Sequence, residues 1–177
     1  ANRELTKEEY MRLLSASQKN HDERLYLLIK TICATGIRIS ELPYVTVEAA
    51  AQGHAMIYCK NKQRCILLPQ KICRELTDYA KAHDITAGYI FRTKSGRPVD
   101  RSNAWHAMKR LGREAGVPED KIFPHNLRHL FARTFYDTEK DIVRLADILG
   151  HSSIDTTRIY TAASGAECMR QIDELGL

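Results

Sequence analysis

Several polar residues in this chain are of types that do chemistry, and they sit where a plain structural role explains them only in part. Arg38 is the one basic residue of ATGIRISEL, just past a glycine that suits a helix end. Its guanidinium either pairs with Glu41 at i+3 or is displayed toward an anion. Lys60, Lys62 and Arg64 crowd the segment YCKNKQRC, which reads as the tip of a hairpin. Such a basic turn can simply discourage edge-strand aggregation, or it can act as a finger reaching a polyanion. In FPHNLRHLFARTF, His125 and Arg128 are i and i+3 and share one face near a helix N-terminus. Free backbone N–H groups and the helix dipole favour an anion there. His129, i+4 from His125, opens a rival reading as a His-x-x-x-His metal pair. No Glu stands in the HExxH position and no third ligand is nearby, so no metal is expected. In ILGHSSIDTTRIYTAAS, His151 follows a glycine turn and Tyr160 lies late in the next helix. That turn also describes a helix-turn-helix DNA reader, and a buried core tyrosine is the plain alternative for Tyr160.

These residues must be carried by helices for the most part. Thr6 with Glu9 is a capping box, predicting a helix from about residue 7. Leu25, Leu28, Ile29 and Ile32 recur at helical spacing over 22–34. IRISEL reads as a short helical turn. Residues 45–47, 54–59 and 65–68 read as three short strands, with turns at Gln52 and Gly53 and across 60–64. Pro69 opens a helix to about residue 83. The segment YIFRTKSGRPVD is irregular, and helices follow over about 101–115, 125–137, 141–149, 153–161 and 165–174. The expected fold class is α+β, mainly α, with a small three-stranded antiparallel sheet near its start.

The 177 residues suit one domain, and 44% hydrophobic residues suffice for a core. A formal net charge of +5 fits a polyanionic partner without demanding one. No apolar run approaches the ~20 residues that cross a bilayer, and the charged start, ANRELTKEEY, is unlike a signal peptide. A start at Ala1 without Met suggests a piece of something longer. The five cysteines show no CxxC or zinc-like grouping and suit reduced thiols in a cytosol. Cys59 and Cys65 flank the hairpin turn, where they could face each other, but they read as small strand residues.

Taken together, the motifs carry a resemblance. ATGIRISEL resembles the first arginine box of tyrosine recombinases, HNLRH their His-x-x-Arg box, and LGHSSIDTTRIYT their closing box, with the basic hairpin between the first two. The match runs over about residues 5–162 and looks most like integrases of bacterial phages and conjugative transposons. It implies the helical catalytic domain of the DNA breaking-rejoining type over 1–177, with the family's N-terminal core-binding domain absent from this chain. Carried over position by position, it makes Arg38, Lys60, His125, Arg128 and His151 catalytic, Tyr160 the nucleophile and Glu41 the support of Arg38. The turn, Cys59-Lys60-Asn61-Lys62-Gln63-Arg64, is shorter than the family's Gly-Lys-Gly-x-Lys-x-Arg style, and Lys60 is favoured over Lys62 as the acid. Lys62, Arg64 and Arg97 are expected DNA contacts.

The implied reaction is phosphodiester exchange without ATP, metal or other cofactor. The tyrosine oxygen displaces a 5′-hydroxyl and leaves a 3′-phosphotyrosine, which a second 5′-hydroxyl reverses. Guanidinium forks match the charge and geometry of the non-bridging oxygens. A phenol is a poor nucleophile at neutral pH, hence a base such as His125, and the 5′-oxygen needs an acid such as Lys60. The expected partner is double-stranded DNA, with no small-molecule substrate and no membrane. Self-assembly to a tetramer in the synaptic complex is implied, the isolated fragment being a monomer. The setting would be a bacterial cytoplasm, at the nucleoid. The last helix carries an apolar set, Cys168, Met169, Ile172 and Leu175, in a tail over 164–177. It either packs on its own domain or, as the resemblance implies, docks into a neighbouring protomer. The alternatives are a type IB topoisomerase and a non-catalytic helix-turn-helix protein.

Overall fold

The computed structural model describes residues 3–59, 62–151 and 165–177. The chain divides into two compact units, Ala1–Ala132 and Arg133–Leu177. Among the described residues the first unit holds α1 (Lys7–Lys19), α2 (Glu23–Thr35), a 3-10 helix (Ile39–Tyr44), α3 (Val47–Gln52), β1 (His54–Cys59), β2 (Lys62–Leu67), α4 (Gln70–Ala82), α5 (Arg101–Ala115) and a short 3-10 turn (Glu119–Lys121). Helix α6 (Pro124–Glu139) begins in the first unit. The second holds α7 (Ile142–Leu149) and a C-terminal helix (Gly165–Asp173). The fold is mainly helical with a small antiparallel sheet. No helix among the described residues is long and apolar enough to cross a membrane.

Local chemistry explains most of the boundaries. Thr6 and Glu9 form the reciprocal capping box at the start of α1. Asp22 caps α2 by accepting from the Leu25 N–H, and Asp100 caps α5 by accepting from Ser102 and Asn103. Gly36 ends α2 at φ 72°, a left-handed conformation that costs glycine nothing, and so turns the chain sharply just before Arg38. The apolar stripes meet in one core. Leu13 and Leu14 of α1, Leu28, Ile29 and Ile32 of α2, Ile72 and Leu76 of α4, and Met108 and Leu111 of α5 are all buried in it. Gly112 lets α5 come close to Ile122: a Cβ there would lie 2.6 Å from an Ile122 side-chain carbon.

Three expectations need correction. The described sheet has two strands, not three. Residues 45–47 do not form a strand, because Thr46 turns its hydroxyl onto the Ala49 N–H at 3.1 Å and starts α3. Their strand-like pairing shrinks to a single bridge between Thr46 and Tyr89. The hairpin turn is also tighter than 60–64, since the ladder continues to Cys59 paired with Lys62 and β2 starts at Lys62. Cys59 and Cys65 do lie in strands as read, Cys59 at the end of β1 and Cys65 in β2, where it pairs with Met56. The helix expected over 153–161 lies outside the described residues.

Candidate active site

Two backbone devices set the site. The first is the turn after α2. Beyond Gly36, Ile37 is buried and Arg38 takes an extended conformation, φ −80° and ψ 151°, at the head of the 3-10 helix. The Glu41 carboxylate accepts the Arg38 backbone N–H at 2.7 Å and so pins the residue from behind. The Arg38 side chain stays 41% exposed, its Nη1 3.8 Å from Glu41 Oε2. The second device is the start of α6. Pro124 opens that helix with a ring preset for the first turn. Asn126, buried, donates from Nδ2 to the carbonyls of Arg3 (2.7 Å) and Lys121 (2.9 Å), which fixes the helix end to the preceding turn. Lys121 is in turn paired with Glu9 of α1 at 3.0 Å.

On that anchored end the sequence i, i+3 pair takes up its positions. Arg128 is only 1% exposed and is the largest fully buried side chain of the described residues. Its Nη1 donates to the Gly36 carbonyl, which ties α6 to the very turn that presents Arg38. A buried guanidinium needs such partners, because desolvating an unpaired charge costs several kcal/mol, about as much as a protein's margin of stability. Arg38, His125 and Arg128 line one pocket of about 610 Å³, with Ser40, Asp100, Arg101, Ser102 and Trp105 among its other walls. Burial lowers the His125 imidazole below its ordinary 6.5, and the Arg128 and Arg38 cations push it further down. Both effects favour the neutral ring, whose lone pair can take a proton. Its ring meets that of His129 edge to face, centroids 4.5 Å apart. Among the described residues, no group of three His, Cys, Asp or Glu side chains could hold a metal ion.

Other sequence candidates fall in different places. Glu41 is buried behind Arg38. Arg64, expected to point outward from a basic finger, instead turns inward. Its Nη1 and Nη2 donate to Glu41 Oε2 and Oε1 at 2.7 and 2.9 Å, and its side chain is 15% exposed. Lys62 and Arg97 are exposed, Arg97 on the turn around Gly96. His151 belongs to the second unit, where its N–H bonds the Ala146 carbonyl just past the left-handed Gly150 that ends α7. Lys60 and Tyr160 lie outside the described residues. Sequence reasoning passed over the α5 wall. Trp105 is partly exposed there, with the Lys109 ammonium 5.2 Å from its ring centroid and Arg101 one turn ahead. The signal was available: it is the chain's single tryptophan, on a polar helix face.

The phage integrase family model matches residues 3–167, and the chain belongs to that family. It is similar to the tyrosine recombinase XerA of Pyrococcus furiosus, with 29% identity over 98% of this chain and 62% of that protein. With tyrosine recombinase XerH of Campylobacter jejuni it shares 30% identity over 89% of this chain and 47% of that protein. The chain thus spans about half to three-fifths of the length of these relatives. In fold it matches the structure of the XerH site-specific recombinase bound to its difH substrate before cleavage. The TM-score is 0.81 at 24% identity, over 97% of this chain and 53% of that one.

Proposed function

We propose that this chain is the catalytic part of a site-specific tyrosine recombinase that cuts and rejoins double-stranded DNA through Tyr160. The observation that carries the reading is the meeting of Arg38 and Arg128, distant in sequence, with His125 at one pocket. Two guanidiniums there balance the charge that grows on the non-bridging oxygens of a phosphorane-like transition state. Each such preorganised donor is worth about 3–4 kcal/mol. His125 takes the phenol proton of Tyr160 as its oxygen attacks phosphorus, and Lys60 protonates the departing 5′-oxygen. His151 donates to a non-bridging oxygen. The phosphotyrosine keeps the energy of the broken bond, so the reverse attack by a partner strand's 5′-hydroxyl needs no ATP. The chain would integrate or excise a mobile element as part of a tetramer, with a core-binding domain completing the grip on DNA and the 164–177 tail exchanged between protomers.

The test is covalent capture on suicide duplexes drawn from a randomised pool, which removes the need to know the target. Wild type should yield SDS-resistant protein–DNA adducts that map to Tyr160, and Tyr160→Phe should yield none while still shifting duplex in a gel. Binding without adducts in the wild type would point to a non-catalytic DNA reader. Relaxation of supercoils without strand exchange would point to a topoisomerase.

A further inference from the structure

Glu41 poses a problem for the proposed chemistry, and Arg64 resolves it. A nearly buried carboxylate three residues from Arg38 should draw the Arg38 guanidinium onto itself and cancel the charge that a phosphate would need. The structure shows otherwise. Both Glu41 oxygens are held by Arg64 in a two-pronged pair at 2.7 and 2.9 Å. Oε1 also receives the Arg38 backbone N–H, and the Arg38 guanidinium keeps only a longer ion pair to Oε2, at 3.8 Å, while it stays 41% exposed and lines the pocket. Arg64 reaches Glu41 from the inner face of β2, directly across from the buried Ile57. Its Nε lies buried without a hydrogen bond among the described residues, an arrangement that belongs to a held side chain and not to one sampling solvent.

We propose that Arg64 is a positioning residue: it neutralises Glu41, so that Glu41 fixes the Arg38 backbone without capturing the Arg38 guanidinium, which stays free for the scissile phosphate. The same pair ties the turn-proximal half of β2 to the segment that bears Arg38. This inference rests on the recombinase reading, in which Arg38 binds phosphate.

Three variants test it: Arg64→Met, Glu41→Gln and the two combined. Without DNA, phenylglyoxal labelling of Arg38, read by mass spectrometry, should fall severalfold in R64M as the guanidinium closes on Glu41. Labelling should return in the double variant, where no carboxylate remains. Adduct formation on the duplex pool should fall about 100-fold in R64M, the scale of a misplaced catalytic group. The double variant should recover at least about tenfold of that loss, a coupling of the size seen between residues in one network. Affinity for a random-sequence duplex, and its salt dependence, should match wild type. Should R64M lose the fold, Arg64→Lys carries the test, since it keeps the charge and should retain most of both signals. A salt slope reduced by about one unit would make Arg64 a direct phosphate contact and overturn the proposal. A double variant no better than R64M would overturn it too, by making Arg64 a mere structural brace. If wild type forms no adduct while the labelling pattern holds, the functional reading fails and the Arg64–Glu41–Arg38 relation stands.

Discussion

The pocket and the C-terminal helix solve the same problem in opposite ways. Around the pocket, three described functional residues are tied to other elements or turns: the Arg128 side chain to the Gly36 carbonyl, the Arg38 backbone N–H to Glu41, and the Glu41 carboxylate to Arg64. In the C-terminal helix nothing apolar is covered. Met169 is 59% exposed and Ile172 60%, and Leu175, just past the helix end, is 65% exposed. The lesson is that the arginine-lined pocket is built within one unit from residues fixed by long-range contacts, whereas the described apolar residues of the tail stay exposed. Single apolar residues on a surface are ordinary; a whole helix stripe marks an interaction site.

The sharpest way to break this contrast is Arg128→Lys. The charge remains but the fork that spans Gly36 and the pocket is lost, so adduct formation should fall by about 10²–10³-fold with the circular-dichroism melt largely kept. Activity within a few-fold of wild type would remove Arg128 from the site. A smaller effect is expected from the tail. Replacing Ile172 and Leu175 together by Asp should weaken cooperative binding to DNA carrying paired sites by about tenfold, while binding of one protomer is unchanged. If cooperativity survives, the tail does not dock in trans. Smaller still, Ile32→Val in the core should cost about 0.5–1.5 kcal/mol in urea melts. Ile172→Val on the tail should stay within about 0.5 kcal/mol.

The contrast also has a pH dependence. Because burial and the two arginines lower His125 in the folded chain, the unfolded chain binds its proton first as pH falls. The stability tied to a neutral His125 is therefore whole above 6.5 and is lost as pH drops through the window beneath it. The acid limb of cleavage at subsaturating DNA should likewise lie below 6.5, the ordinary histidine value. His125→Gln should abolish that limb along with most of the rate; an unchanged limb would assign it to another group.

Near neighbours along the chain were enough to specify the local features. The Thr6–Glu9 box, the Asp100 cap, the left-handed glycine at 36 and the i, i+3 pair of His125 and Arg128 are all local arrangements, and the bounds of α5 follow from them. The arginine boxes were legible for the same reason. Where local signals compete, the reading failed. Residues 45–47 have strand-forming types, yet one hydroxyl at Thr46 turned them into a helix start. Only the tertiary structure decided which way Arg64 faces, because its partner lies on another element and the sequence states charge but not direction. It also decided that Arg128 would be buried and Arg38 open, and that α5 would wall the same pocket. Burial is a property of how elements pack, and packing is settled by the sum of many long-range contacts that no short motif encodes.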